Sequence, residues 1–312
     1  AEPSLERLRS PALRLLLATR PQFLTITLVG AVLGIAVATA GGYALSPWTA
    51  AATIFLALAV HAGVNVLNDW CDHLNGTDAA NVDRIYPFTG GSRFIQNGVL
   101  SPDAMRNFAF ALFGIAVVGG LTLAAVVGPG LIAYGLAGVL VGWAYSARPL
   151  ALNSRGLGEA CIVVTFGLVV GGADFVQRGA FSWTPLLAGA AYALMTTNIL
   201  YINQFPDRAA DIAAGKLHWV ARLPVAQARW GYGVILLAAA ASIVLPVLGD
   251  ALPLGALLAL LGLAPALHAF RVLLRNAATP PALAPAIQAT IVSAHLVGVL
   301  MAVGFWLPRF IG

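Results

Sequence analysis

Long apolar stretches recur along this chain, and they restrict its fold more than any other feature of the sequence. A helix of about 20 apolar residues crosses the hydrocarbon core of a bilayer, where only helices and closed barrels satisfy every backbone hydrogen bond. Gly, Pro and charged residues break the apolar runs and delimit nine spans, at roughly 22–40, 48–67, 107–127, 130–147, 158–175, 184–204, 230–248, 252–271 and 286–307. Of the 312 residues, 60% are hydrophobic and 9% charged, against roughly 25% charged in soluble domains, so a water-soluble fold is excluded. The sequence predicts an all-α, polytopic membrane helix bundle of about nine transmembrane helices, with 1–312 forming one integral-membrane domain. Abundant Gly and Ala within the spans fit close helix packing in lipid.

The placement of charge predicts orientation. Lys and Arg number 17 against 12 Asp and Glu, an excess that in a soluble chain would suggest nucleic acid but in a membrane protein encodes sidedness; no nucleic-acid partner is expected. With the N-terminus inside, Arg7, Arg9, Arg14 and Arg20 precede the first span, and Arg84, Arg93 and Arg106 follow the second. Arg148 and Arg155 follow the fourth, Arg208, Lys216, Arg222 and Arg229 the sixth, and Arg271 and Arg275 the eighth. Only Arg178 and Arg309 remain for the opposite side. Residues 1–20 lack an apolar leader core and read as a cytoplasmic segment. Two inner loops, 68–106 and 205–229, hold most of the acidic residues and are expected to cap a central cavity from the cytoplasmic side. Cys71 and Cys161 show no metal-ligand spacing and read as packing residues.

Two acidic clusters stand out at one membrane edge. After the second span the sequence reads Asn65-Val-Leu-Asn68-Asp69-Trp-Cys-Asp72, followed by Asp78; on a continuing helix Asn65, Asp69 and Asp72 share a face. The sixth span ends with Asn203-Gln204-Phe205-Pro206-Asp207-Arg208-Ala-Ala-Asp211, and Asn203, Asp207 and Asp211 share a face in the same way. Carboxylates at helix C-termini oppose the helix dipole and one another, so a positive partner is needed. Hard oxygen donors suit Mg²⁺, which is held by one or two carboxylates together with substrate phosphate oxygens. Two facing clusters would each hold an ion with a diphosphate between them, and Arg93, Arg148, Arg208 and Lys216 would neutralise its remaining charge.

These residues resemble the UbiA superfamily of intramembrane prenyltransferases, whose signatures are Asn-Asp-x-x-Asp with a further Asp, and Asp-x-x-x-Asp. They stand here as Asn68-Asp69-x-x-Asp72 with Asp78, and Asp207-x-x-x-Asp211. Arg20-Pro21-x-x-Leu24 looks like the family's opening, and Gly215-Lys216 like the continuation of its second motif. Gly90-Gly91-Ser92-Arg93, Gly98-Val-Leu-Ser101, Tyr145-Ser146 and Gly156-Leu-Gly158-Glu159 look most like the 1,4-dihydroxy-2-naphthoate prenyltransferase branch of menaquinone synthesis. The resemblance implies Mg²⁺, two or more ions, bound by Asp69, Asp72, Asp78, Asp207 and Asp211. It implies Asp69, Asp72, Asp207, Asp211 and Tyr145 as catalytic residues, and Asn65, Asn68, Arg93, Arg148, Asn203, Arg208 and Lys216 as the diphosphate site. The substrates would be a polyprenyl diphosphate and an aromatic acceptor, in a bacterial or archaeal plasma membrane. Hydroxybenzoate, homogentisate or a lipid alcohol stay open as acceptors.

Ionisation of the allylic C–O bond requires stabilised diphosphate on one side and shielding from water on the other. Trp143, Tyr145, Phe166 and Tyr201 are candidates for an aromatic wall facing the cation. His61 and His295 lie within spans and read as hydrogen-bonded packing residues, while Glu159 is expected to orient Arg155 or help position the acceptor. A cation-coupled transporter would also use paired acids, but near the midplane rather than at one edge. A prenyl-diphosphate-binding protein without catalysis is the third class.

Overall fold

The structure, a computed structural model, describes residues 1–307. The helix α1, Pro11–Ala18, is capped by the Ser10 hydroxyl and leads through Arg20, at φ 57°, into α2, Pro21–Ala40. Then follow α3, Pro47–Asn75, the single turn α4, Thr77–Ala80, and α5, Pro102–Val127. After α6, Gly130–Ser146, a 3₁₀ turn leads to α7, Gly158–Arg178, and α8, Thr184–Ala213. The turn α9, Trp219–Arg222, precedes α10, Val225–Leu248; a 3₁₀ segment, Leu254–Leu263, runs into α11, Ala264–Asn276, and a 3₁₀ turn into α12, Ala284–Trp306. Proline opens the first turn of α1, α2, α3, α5, α8, α11 and α12, where its missing N–H costs nothing.

Among the described residues eight helical segments are long and apolar enough to cross a membrane, and α6, with 17 residues, is a ninth, shorter apolar helix. These nine match the expected spans. The boundaries differ where it matters most. The helices α3 and α8 run on through their acidic clusters, to Asn75 and Ala213, and α5 begins at Pro102, so the irregular cap shrinks to 76–101 and 214–224. Arg178, expected on the far side, ends α7 in a 2.7 Å ion pair with Asp174, whereas Arg309 lies outside the described residues.

Two large apolar clusters, with a third small one of Ala31, Ile35, Ala50 and Ala173, hold the helices together. One large cluster gathers α2, α7, α8, α10, α11 and α12 around Tyr192, Met195, Ile287 and Met301; the other joins α3 and α5 to the cap through Phe94, Met105 and Phe113. Small residues set the closest approaches. A Cβ on Gly34 would come within 2.1 Å of the Val170 carbonyl, so α2 and α7 touch backbone to backbone only because glycine stands there. The helix α8 is the central element, with 72% of its most apolar stretch buried against 22% for α5 and α10, whose outer faces are left to lipid. A cavity opens between α2, α3, α5, α6, α7 and α8 at the end that carries the cap.

Candidate active site

A helix of 29 residues is about 44 Å long, and the hydrocarbon core is about 30 Å thick, so the last turns of α3 can stand clear of lipid. Asn65, Asn68 and Asp72 line the cavity from that end. The expected stripe placed Asp69 beside Asn65 and Asp72. Instead Asp69 turns toward the cap, where both carboxylate oxygens accept from the Ser92 N–H at 3.2 Å, and it does not line the cavity. Asn68 donates to Asp72 Oδ2 at 3.2 Å and to the Ser146 hydroxyl at 2.9 Å, fixing the Asp72 carboxylate against α6.

The cap turns back on itself through glycine. Gly76 at φ 84° ends α3, and α4 then brings Asp78 and Asn81 to the cavity. Gly90 and Gly91, at φ 76° and 72°, adopt a backbone that other residues resist. A Cβ on Gly91 would stand 2.8 Å from Asp78 Oδ2 and 3.0 Å from Asp69 Oδ1, so the two carboxylates meet across this glycine. The Arg93 guanidinium donates to the Asp78 carbonyl oxygen, and Gln96 donates to Asp78 Oδ2 at 3.3 Å. Burial pushes the Asp78 carboxyl well above the usual carboxylate range; Asp72 and Asp69 push it further, against Lys216 and Arg93.

From α8, Asn203, Gln204, Asp207 and Asp211 face the same space. Asp207 accepts from Asn81 Nδ2 at 2.6 Å and from the Gly90 N–H at 3.4 Å, tying α8 to the cap. Asp211 Oδ2 accepts from His218 Nε2 at 2.9 Å. Because His218 Nδ1 accepts the Ala221 N–H at 3.2 Å, the ring proton belongs on Nε2. Lys216 Nζ stands 3.0 Å from Asp72 Oδ2 and 3.4 Å from Asp211 Oδ1, the latter an ion pair rather than a formed hydrogen bond. Burial opposes its charge, yet Asp72 and Asp211 together hold Lys216 well above the usual lysine range. Acids 139 positions apart along the chain are thus bridged by one ammonium group.

Three of the four cations assigned to the diphosphate sit elsewhere. Arg93 braces Asp78 from behind, Arg208 donates to the carbonyls of Val220 (2.9 Å) and Leu223 (3.3 Å), and Arg148 is exposed; none lines the cavity. Among the described residues the Arg and Lys that line it are Arg20 and Lys216. Arg20 donates to the Phe88 carbonyl at 3.0 Å and lies over the Phe23 ring, 4.7 Å from its centre, with Nε buried and unpartnered. Sequence reasoning counted Arg20 only for orientation and family likeness. It missed His218 and Asn81 outright, although a histidine seven residues past Asp211 was a usable signal.

The cavity is about 470 Å³, within the usual range for a small-molecule site. Away from the acids its walls are apolar: Phe23, Ile26, Val60, Phe166, Leu121, Leu136 and Val139. Leu121 and Leu136 are also 53% and 57% exposed, so this arm borders the outer surface of α5 and α6. Tyr145 and Phe166 line the cavity as expected of an aromatic wall, but Trp143 packs with the α3–α5 cluster and Tyr201 donates to the Ala228 carbonyl. His61 lines the cavity and bonds Thr27 at 2.7 Å, while His295 bonds Thr25 at 2.9 Å. Glu159 pairs with Gln204, and Arg155 donates to the Pro149 carbonyl, so the two do not meet.

The donor set at the acidic end is oxygen from Asp72, Asp78, Asp207, Asp211, Asn68 and Asn203, the last with an unpartnered buried Oδ1. Among the described residues no three His, Cys, Asp or Glu groups stand close enough to hold an ion by themselves. That arrangement fits Mg²⁺, which takes few protein ligands and fills its shell with water and substrate phosphate, better than an ion that needs a full protein cage.

The sequence profile of the UbiA prenyltransferase family matches residues 23–292. The 1,4-dihydroxy-2-naphthoate octaprenyltransferase of Mycobacterium leprae (strain TN) is 28% identical over 192 residues, 61% of this chain. The match spans 63% of that relative, less than two thirds of its length. The protein of the same name from Escherichia coli (strain K12) is 26% identical over 298 residues, 93% of this chain and 94% of that one. The solved structure of a UbiA homolog from Archaeoglobus fulgidus bound to GPP and Mg²⁺ shares the fold, with a TM-score of 0.59 at 13% identity over 94% of this chain and 98% of that chain.

Proposed function

The chain belongs to the UbiA prenyltransferase family, and from that premise we propose that it is an integral membrane enzyme that transfers a polyprenyl group from its diphosphate to 1,4-dihydroxy-2-naphthoate, with Mg²⁺. The observation that carries the reading is the Lys216 bridge between Asp72 and Asp211, which brings both acidic clusters to the head of a cavity whose other arm is apolar. The naphthoate acceptor is supported by the names of the Mycobacterium leprae and Escherichia coli relatives, and Mg²⁺ by the neighbouring structure bound to GPP and Mg²⁺.

Asp72, Asp78, Asp207 and Asp211 would hold the ions, with Asp69 bracing the cap beside them. Bound there, Mg²⁺ supplies Lewis-acid neutralisation of the diphosphate leaving group. Arg20 and Lys216 add cationic donors at the same end. The allylic C–O bond breaks with its electron pair leaving on the diphosphate, a ring carbon of the acceptor forms the new C–C bond, and that carbon restores aromaticity by losing the group it carried, a proton to solvent or the carboxylate as CO₂. Phe23, Tyr145 and Phe166 present faces or edges to the space the cation crosses, and aromatic faces attract cations. The 76–101 cap, pinned by Asn81 to Asp207 and by Ser92 to Asp69, lines the acidic end of that space through Phe88, Thr89, Gly90 and Gly91 and would shield it from bulk water. The excess of Arg and Lys at the acidic end supports a cytoplasmic orientation for that end, and the membrane on this reading is a bacterial or archaeal plasma membrane.

Purified protein in detergent or liposomes, given a polyprenyl diphosphate, 1,4-dihydroxy-2-naphthoate and Mg²⁺, is expected to yield the prenylated ring and to stop on addition of EDTA. Asp72→Asn and Asp211→Asn are each expected to lower kcat at least 100-fold, the scale for losing an electrostatic clamp. Undiminished turnover in both variants sinks the two-cluster mechanism.

A further inference from the structure

Gln204 lines the cavity one helical turn before Asp207 and is 7% exposed. Its Nε2 donates to Glu159 Oε1 at 2.8 Å, while its Oε1 is buried without a partner. An ionised carboxylate only accepts, so the Glu159 contact decides which end of the amide points where: NH₂ toward α7, oxygen away from it. A buried amide oxygen left unpaired is unfavourable, and it selects a ligand group that donates. Tyr145, Asn153, Gly158, Cys161 and Leu200 line the cavity with it. A Cβ on Gly158 would lie in ordinary contact with Asn153 at 3.4 Å, Leu200 at 3.5 Å and Tyr145 at 3.6 Å, so these residues adjoin one another in this part of the wall.

We propose that Gln204 Oε1 receives a hydroxyl group of the aromatic acceptor, and that Glu159, acting through Gln204, is the positioning residue that keeps this oxygen free for it. The proposal rests on the prenyltransferase reading and sharpens it: the acceptor is a hydroxylated arene engaged through an O–H. A carboxylate substituent is turned elsewhere, because Gln204 offers it no donor and the Glu159 charge lies just behind.

The test is steady-state kinetics with one prenyl diphosphate and Mg²⁺, comparing 1,4-dihydroxy-2-naphthoate with its two monomethyl ethers. The enzymes are wild type, Gln204→Met, Glu159→Gln and Glu159→Asp. Wild type is expected to prefer the free hydroxyl over at least one ether by roughly tenfold in kcat/KM, the worth of one hydrogen bond. Gln204→Met abolishes that preference by raising KM for the hydroxylated acceptor about tenfold, with KM for the prenyl diphosphate unchanged. Glu159→Gln, which frees the amide to flip, weakens the preference, and Glu159→Asp restores part of it. Full discrimination surviving in Gln204→Met, or a rise in both KM values together, overturns the proposal. A wild type that prenylates no hydroxylated arene overturns the underlying reading, and that result is visible before any variant is made.

Discussion

Lys216 shows how much one side chain can decide. Replacing it with Met leaves Asp72 and Asp211 facing each other without the ammonium that lies 3.0 and 3.4 Å away. Breaking a buried pair costs about 3–5 kcal/mol where the remaining charge cannot escape; here protonation or a bound cation relieves part of it. Lys216→Met is therefore expected to melt at lower temperature in EDTA and to gain more than wild type from added Mg²⁺, in thermal scans of detergent-solubilised protein. An equal Mg²⁺ response in both proteins would remove the ion from this position. Asp78 predicts a pH dependence. Burial, with Asp72 and Asp69 adding to it, holds its proton above the ordinary carboxylate range, whereas a metal ion requires the carboxylate. Mg²⁺ affinity should thus climb as pH rises through that raised pKa, and calorimetry in two buffers of different ionisation enthalpy should detect proton release. Affinity that is flat or falls with rising pH would contradict it.

At the scale of elements, the cap is shaped by glycines whose surroundings differ. Gly91 and Gly98 both adopt left-handed backbone, at φ 72° and 67°, but a Cβ on Gly91 meets Asp78 and Asp69 whereas one on Gly98 meets nothing within 4 Å. Each Gly→Ala change is expected to lower stability by roughly 1–2 kcal/mol from the backbone alone. Only Gly91→Ala should also abolish prenyl transfer, because only there does the new methyl displace carboxylates; equal activity in the two variants would refute the assignment. The same contrast explains what the sequence could and could not tell. The acids were legible because polar residues at helical spacing interrupt long apolar runs. The ends of α3 and α8 were not, since an apolar scan stops at the first polar cluster while Asn65, Asn68 and Asp72 keep the helix going through bonds to Thr19, Ser146 and Lys216. Nor was the turn of Asp69 away from the cavity, which is set by Ser92 in a cap that has no periodicity to read. Arg93, Arg148 and Arg208 were assigned to phosphate by proximity in sequence, but two of them were needed to satisfy loop carbonyls and the third is solvated.

Across the whole molecule, the two acidic helix ends and the apolar arm belong to one space that runs from the cap toward the outer face of α5 and α6. A prenyl tail gains about 0.8 kcal/mol for each CH₂-sized unit it buries, so the length of that arm should govern which donors bind. Gly120 on α5 and Gly138 on α6 line the cavity, and a Cβ on either meets nothing within 4 Å, so side chains added there enter open space. Replacing glycine inside a helix also favours the helix, by about 0.5–1 kcal/mol for Ala, which separates a change of cavity shape from a failure to fold. Gly120→Phe and Gly138→Phe are each expected to raise KM for a long polyprenyl diphosphate at least tenfold while leaving a five- or ten-carbon donor within about twofold, since each isoprene unit excluded forfeits several such increments. Competition between short and long donors in one reaction, read by product mass, measures the shift directly. A chain-length preference unchanged in both variants would mean that the tail leaves the acidic site by another path, and the apolar arm would need a different occupant.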